Sequence, residues 1–339
     1  MKILIVGIGA MGGVLAGKLI HAGQDVTLLT GKEDTTRILL DKGLSVRAPE
    51  GDVWVRPKSV FSFAAQLVDE QLHFDSIWLL TKAVELEDLL PKLIHLLDDE
   101  GTFVCFQNGM VEQEVAKIVG EERVLSSSLA WGGTLYSTGR VERTSRGATY
   151  IGELGGAVTS RVSALAAALE HATPVVQSDN MLGVLWSKLA VNCTITSIGA
   201  LSGEPLGLLL QSTKVRSIFL EVYREVVDVA LAKGVLLESI AAPPMLLYLP
   251  KDAGPFRRRA VDFALTAVGF RYRETRASML QSLERGRKTE IAFLNGYVVE
   301  EAKKLQLHVP ANARLVSFIE DIEAGRRKLG KETLDEFCR

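Results

Sequence analysis

Lys188, Asn192 and Thr196 recur every four residues in an otherwise apolar stretch, so on a helix they share one face. Two readings stand for a lysine placed in this way. It can snorkel from a half-buried helix, its stem on apolar neighbours and its ammonium in water. It can also face a cleft, where desolvation lowers its pKa into the range useful for proton transfer. A second polar cluster follows downstream: Ser278-Met279, then Gly286-Arg287-Lys288-Thr289-Glu290-Ile291 and Asn295-Gly296. Thr289-Glu290 by itself reads equally well as exposed helix. Lys82 and Gln107-Asn108-Gly109 each follow an apolar strand-like run, where an open α/β sheet places its ligand. Asn-Gly is also a common turn pair.

The N-terminus carries Gly7-Ile8-Gly9-Ala10-Met11-Gly12. Such a glycine pattern alone is weak, because the chain has 30 glycines in 339 residues. Here it follows the apolar run Ile3–Val6 and opens an amphipathic stretch, the context that dinucleotide binding requires. The first glycine makes the tight turn, the second lets backbone approach a pyrophosphate, and the third allows close helix–strand packing. The helix N-terminus then offers N–H groups to the phosphates. The context favours this over a plain strand–helix turn. The second strand ends in Thr30-Gly31-Lys32 with no acid at its tip, and Lys32 suits a 2′-phosphate. Glu33 and Asp34 oppose it, yet the balance favours NADP over NAD.

The elements that must position these residues fall into two halves. Ile3–Val6, Asp25–Leu29, Ser76–Leu80 and Thr102–Phe106 predict strands. Met11–Ala22, Thr35–Lys42, Glu85–Leu97 and Val111–Val119 predict helices between them. That alternation predicts a parallel, doubly wound sheet covered on both faces. Val124–Ala130, Gly139–Arg143, Thr149–Ile151 and Thr173–Gln177 extend it into a mixed sheet, with a helix over Ser160–His171. After Asn180 the periodicity is helical: Leu182–Ala200, Lys214–Lys233, Phe256–Val268, Ser278–Leu283, Thr289–Leu305 and Ala311–Ala324. The fold expected is therefore an α/β domain over 1–179 and an all-α domain over 180–339, with the active site in the cleft between them.

Composition narrows the partners. The formal net charge is −2 and the sequence pI about 6.3, which argues against nucleic acid. Apolar runs break well short of the ~20 residues that a spanning helix needs, so no membrane segment is expected. The start lacks the pattern of a secretory signal, since glycines follow the first apolar run at once. Cys105, Cys193 and Cys338 fit neither a zinc site nor a disulfide framework, and the five histidines are scattered. The expectation is a cytoplasmic chain with reduced thiols and no metal.

In order and content, GIGAMG at 7–12, TKA at 81–83, QNGM at 107–110, WSKLAVN at 186–192 and SMLQSLERGRKTEIAFLNG at 278–296 resemble the ketopantoate reductase (2-dehydropantoate 2-reductase) family over almost the whole chain. The resemblance implies a Rossmann-type domain followed by a helical domain like the C-terminal domain of 6-phosphogluconate dehydrogenase. It implies an NADPH-dependent reduction of ketopantoate to pantoate, on the route to pantothenate and coenzyme A. Gly7 to Gly12 would hold the pyrophosphate, and Lys82 and Asn108 would line the cofactor site. Lys188 would be the general acid. Asn108, Asn192, Thr196 and Ser278 would bind the substrate, and Glu290 would lie near the lysine and the nicotinamide. A homodimer is implied as well. The chain departs from the pattern at Thr196, Leu206 and Thr275, where asparagine is usual, at Ser282, where aspartate is usual, and at Gly31 in place of an arginine. Another 2-oxoacid is therefore the nearest alternative substrate. A non-catalytic NADPH-binding regulator is the alternative of another class, opposed by the joint presence of Lys188, Asn192, Ser278 and Glu290. Arg257, Arg258, Arg259, Arg271, Arg273 and Arg276 read as a solvated face in preference to a lid over an anionic substrate.

Overall fold

A computed structural model describes residues 1–240, 242–271 and 276–339. The chain forms two compact units, one of residues 1–107 and 111–181, the other of 108–110 and 182–339.

In the first unit the strands are β1 (Lys2–Val6), β2 (Asp25–Leu29), β3 (Leu44–Arg47), β4 (Val53–Val55), β5 (Val60–Phe61), β6 (Phe74–Leu79), β7 (Leu97–Cys105), β8 (Val124–Leu129), β9 (Gly133–Ser137), β10 (Arg140–Arg143), β11 (Thr149–Gly152) and β12 (Val175–Gln177). Eight of them form one sheet in the order β12-β11-β8-β7-β6-β1-β2-β5. Every pair in it is parallel except β8 with β11. The central strands read as apolar runs because both faces are covered: Ile3, Leu4, Ile5, Ile77, Phe103 and Val104 have no exposed surface.

The other four strands form a separate sheet, β4-β3-β10-β9, where the sequence predicts a single mixed sheet. Gly139–Arg143 is expected within that single sheet. As β10 it pairs instead with β3 and β9. The helix Ala10–His21 explains this position. A Cβ at Gly13 would lie 2.8 Å from Val141, and one at Gly17 would lie 2.4 Å from Val46, so the glycine face of the helix accepts the small sheet at close range. Strands this short carry little periodicity of their own, and only packing against that helix organises them.

The second unit is helical. Its helices span Met181–Ser202, Leu206–Leu209, Thr213–Ala232, Pro255–Arg271, Ser278–Glu284, Asn295–Lys304, Pro310–Glu323 and Lys331–Phe337. Met181–Ser202 is long and apolar enough to cross a membrane by length and composition, yet most of it is buried against its neighbours. Trp186, Ala190 and Cys193 have no exposed surface, and Trp186 packs on Tyr297 with ring centroids 5.8 Å apart. Burying an apolar side chain of this size contributes roughly 1.5–3 kcal/mol. Thr289–Leu305 is not the single helix that its periodicity predicts. A 3₁₀ turn, Ile291–Phe293, comes first, Leu294 leaves helical geometry at φ −106° and ψ −102°, and the helix begins at Asn295.

Candidate active site

In the first unit the glycine loop stands at the C-terminal end of β1. Gly7 has φ +97°, and a Cβ there would lie 2.7 Å from the Thr81 amide nitrogen. A Cβ on Gly12 would lie 2.0 Å from the Gly7 carbonyl oxygen, so helix and turn close only because position 12 lacks one. Gly9 differs: a Cβ there would meet nothing within 4 Å, leaving an open approach to the backbone. Gly9 is also the N-cap of Ala10–His21. No side chain caps that helix, and its first turn holds no acid. Its leading N–H groups and partial positive charge are therefore available to an anion. Beside the loop, the Thr81 hydroxyl is buried without a hydrogen-bond partner. An open backbone cradle, an uncapped helix start and an unsatisfied hydroxyl together fit the phosphates of a dinucleotide.

Register brings the neighbouring residues to the same sheet end. Val6 pairs with Leu79, and Leu80 donates its N–H to the Val6 carbonyl at 2.8 Å. Lys82, half-buried, follows and opens the 3₁₀ turn Ala83–Glu85. Ile8, Ala10 and Met11 are partly exposed along the loop. At the tip of β2 the backbone turns at Gly31, φ +73°, and the Thr30 hydroxyl donates to the Lys32 carbonyl at 2.9 Å. The Lys32 side chain is exposed. One of the two opposing acids, Asp34, is engaged by Arg37 at 2.7 Å.

In the second unit Lys188, Asn192 and Thr196 lie on the helix Met181–Ser202 as a half-buried stripe, while Leu189, Cys193 and Ser197 beside them are buried. Asn192 Nδ2 donates to Asn108 Oδ1 at 3.3 Å. Asn108 belongs to this unit although the strand preceding it does not. Gly109 explains why: its φ is +94°, and a Cβ would lie 2.4 Å from the Phe293 carbonyl oxygen. Met110 donates its N–H to that same carbonyl at 3.2 Å. The Asn-Gly-Met segment is thus fastened to the turn that begins at Glu290. Glu290 is half-buried and sits at the N-cap of Ile291–Phe293. Thr289 is buried before it, donating its N–H to Glu323 at 2.7 Å and accepting one from Ile291 at 3.2 Å.

Ser278 is exposed and begins the helix Ser278–Glu284. A Cβ on Gly199 would lie 2.9 Å from the Cβ of Ala277. That close approach sets Ala277, the residue before Ser278, against the Met181–Ser202 helix at Gly199. Leu206 is buried. Thr275 and Arg273 lie outside the described residues. Of the arginine segment, Arg257 donates to the carbonyls of Met245 and Tyr248, Arg258 to those of Lys251 and Ala253, and Arg276 pairs with Glu284. Those three tie down their own loops.

Sequence reasoning missed the buried network behind the stripe. Ser197 donates to Asn295 Oδ1 at 2.5 Å, and Asn295 Nδ2 donates to Cys193 O and to Asn312 Oδ1. Asn312 Nδ2 donates in turn to Glu225 at 2.8 Å. The carboxylate of Glu225 also accepts the N–H groups of Ala311 and Asn312 at the start of Pro310–Glu323. Burial pushes Glu225 above the ordinary carboxylate value, against those hydrogen bonds. One signal is legible: Glu225 lies among Val222, Val226, Val227 and Val229 in the Thr213–Ala232 helix. Burial likewise raises the thiols of Cys105 and Cys193, which marks them as packing residues. Among the described residues no group of three His, Cys, Asp or Glu side chains could hold a metal ion.

Comparison with known proteins gives the same outline. The family described as "Ketopantoate reductase PanE/ApbA" matches residues 3–156, and its C-terminal domain matches residues 180–323. A 2-dehydropantoate 2-reductase from Pyrococcus abyssi is 29% identical over 327 residues, covering 96% of this chain and 98% of its own. The crystal structure of a PanE/ApbA family ketopantoate reductase from Ralstonia eutropha JMP134 superposes with a TM-score of 0.80 at 25% identity, covering 97% of this chain and 100% of its own. D-mandelate dehydrogenase, solved with NADH and anilino(oxo)acetate, shares the fold with a TM-score of 0.79 at 21% identity, over 96% of this chain and 99% of its own. With both domains matched in order and the glycine loop and lysine stripe in place, the chain belongs to the ketopantoate reductase family, oxidoreductases acting on CH–OH groups.

Proposed function

We propose that the protein is a cytoplasmic NADPH-dependent reductase of 2-oxoacids, with ketopantoate as first substrate and pantoate as product. The observation that carries the reading is the half-buried Lys188–Asn192–Thr196 stripe, joined through Asn192 to Asn108 in a chain of this family. When bound, the reduced nicotinamide supplies a hydride to the carbonyl carbon. The residues of the chain do the rest. The glycine loop and the uncapped helix behind it hold the pyrophosphate, with Lys82 beside them, and Lys32 meets the 2′-phosphate. Lys188 presents an ammonium to the carbonyl oxygen, stabilises the charge that develops there and delivers the proton that completes the hydroxyl. Asn108, Asn192, Thr196 and Ser278 orient the carboxylate and hydroxyl groups of the substrate. Glu290, held by the Thr289 contacts, orients the lysine and the nicotinamide end of the cofactor.

A second reading keeps this chemistry and changes the acid. It is favoured by the buried apolar Leu206 and by Thr196, both departures from the family pattern. A site that lacks hydrogen-bonding groups for a substrate hydroxyl loses discrimination in its favour. D-mandelate dehydrogenase, with NADH and an anilino-substituted oxoacid bound, illustrates a larger acid and the other cofactor on this fold. The deciding experiment follows absorbance at 340 nm with ketopantoate and a panel of aliphatic and aromatic 2-oxoacids, each with NADPH and with NADH. Turnover of ketopantoate with the highest kcat/KM supports the first reading. A clear preference for another acid replaces it with the second. Tight NADPH binding without turnover of any acid points to a regulator.

A further inference from the structure

A hollow of about 650 Å³ opens within the first unit, between the end of β10 and the turns that lead into β11 and β12. Volumes of this order hold small ligands. Lys18 lines it from the last turn of the helix Ala10–His21, about 12 Å along the axis from the turn that follows the glycine loop. None of the residues of the glycine loop is in its wall.

The cations of the wall are short of acceptors. Arg143 ends β10 with 2% of its side chain exposed. Its Nη1 donates to Glu50 at 2.8 Å and its Nη2 to the Gly147 carbonyl at 2.6 Å. A guanidinium carries more N–H donors than these two bonds use, and Nε is buried with no acceptor at all. Buried arginines that serve only the fold have their donors satisfied within it. Lys18 is buried as well; its ammonium donates to the Gly51 carbonyl at 2.9 Å and stands 3.8 Å from the same Glu50 carboxylate. Two buried cations thus share one carboxylate that is itself 43% exposed. At the rim Arg146 is exposed and pairs with no carboxylate among the described residues. Glu170 is the opposing charge there, so Lys18, Arg143 and Arg146 face Glu50 and Glu170 before His171 is counted. The excess is positive, and a buried cation without full compensation is costly. The geometry is also firm. The Arg143 guanidinium stacks 5.2 Å from the Trp131 ring centroid, Trp131 donates to the Thr149 hydroxyl at 3.0 Å, and that hydroxyl bonds to Thr173 in the wall at 2.8 Å.

We infer that this hollow is a second ligand site, which takes a small organic metabolite by its oxyanion, a carboxylate or a phosphate, between Lys18, Arg143 and Arg146. Guanidinium and ammonium groups form their strongest hydrogen bonds with these two anions. The three cations come from a helix, a strand end and a loop, so they surround a bound group from separate directions. Ala172 and Pro174 supply an apolar wall for the carbon skeleton. Glu50 bonds to Arg143 and stands near Lys18, where it competes with an incoming anion for the same two cations.

The test needs no turnover, so it stands whether or not the reaction proposed above does. Glycerate and glycerol 3-phosphate carry the two oxyanions on the same short skeleton and serve as probes. Isothermal titration calorimetry of the whole chain, with and without NADPH, should give a dissociation constant on the order of 1 mM for at least one of them. The probe that binds identifies the group. Arg146→Ala, an exposed position, should weaken that probe at least ~fivefold, whereas Glu50→Gln should tighten it about threefold by removing the competing negative charge. A thermal melt of each variant checks that it folds. Opposite signs from two neighbouring substitutions are not expected of a merely structural ion pair. Binding of neither probe up to ~20 mM overturns the inference. So does binding that both substitutions leave unchanged, or binding that NADPH abolishes, which would place the probe on the glycine loop.

Discussion

At the scale of single residues, Lys188 and Glu153 make different demands. Lys188 is set apart by its neighbours: buried side chains on either side leave it half-exposed in line with Asn192 and Thr196. Lys188→Ala should lower kcat by ~10²–10⁴, the usual contribution of a positioned proton donor, and leave the NADPH dissociation constant within a few-fold of wild type. Stopped-flow turnover beside fluorescence titration separates the two quantities, and unchanged kcat would remove the lysine from the chemistry. Glu153 is structural. Burial pushes its carboxyl up, but hydrogen bonds from Arg161 and Thr159 and the arginine charge outweigh that and leave it below the ordinary 4.5. Folding thus favours its ionised form. The stabilisation is complete above pH 4.5 and is lost as pH falls through the lower folded value. Tm of wild type and Glu153→Gln, measured from neutral pH down into the acid range, should differ most at neutral pH and converge below about pH 4.5. A constant gap would show that the pair contributes nothing to acid stability.

At the scale of elements, the loop between β1 and Ala10–His21 separates folding from binding within one motif. A Cβ at Gly12 has a carbonyl 2.0 Å away, so Gly12→Ala should unfold or severely destabilise the chain. A Cβ at Gly9 has no protein neighbour within 4 Å. Gly9→Ala should keep its Tm within ~2 °C of wild type, as a surface change does, and weaken NADPH at least tenfold by filling the approach to the phosphates. Thermal melts with and without NADPH decide this, and a Gly9→Ala chain that binds normally would place the phosphates elsewhere. The Asn108–Met110 segment shows a related economy. Gly109 lets this short segment lie directly on the Phe293 turn, and so sets Asn108 beside Asn192.

At the scale of the whole molecule, a ligand that binds only the folded chain stabilises it by mass action, about 2.7 kcal/mol at 100 times its dissociation constant. NADPH should therefore raise Tm more than NADH at equal concentration, and Lys32→Ala should bring the two together. Differential scanning fluorimetry measures both. A larger rise with NADH would reverse the cofactor assignment, with Glu33 then the residue to examine.

Apolar runs at the spacing of a doubly wound sheet, and the glycine pattern after the first of them, depend only on local periodicity and turn geometry, so both are legible in the order of the residues. The stripe Lys188–Asn192–Thr196 is legible for the same reason, since a helix converts a spacing of four into a shared face. The separate sheet of β3, β4, β9 and β10 is not, because strands this short acquire their place from the glycine face of one helix. The break before Asn295 is hidden by periodicity that runs through it. It exists because Asn295 is drawn into hydrogen bonds with Ser197 and Cys193, far away in the numbering, and with Asn312 on another helix. Helical periodicity over Phe256–Val268 does not say which face is covered, and only packing decides that Val261 and Leu265 face inward while Phe256, Phe263 and Phe270 face out. Sequence alone determined which chemistry the chain can carry, because residue type and local spacing decide that. Tertiary structure decided which side chains meet and which surface stays uncovered, because those depend on contacts between distant segments that no local pattern records.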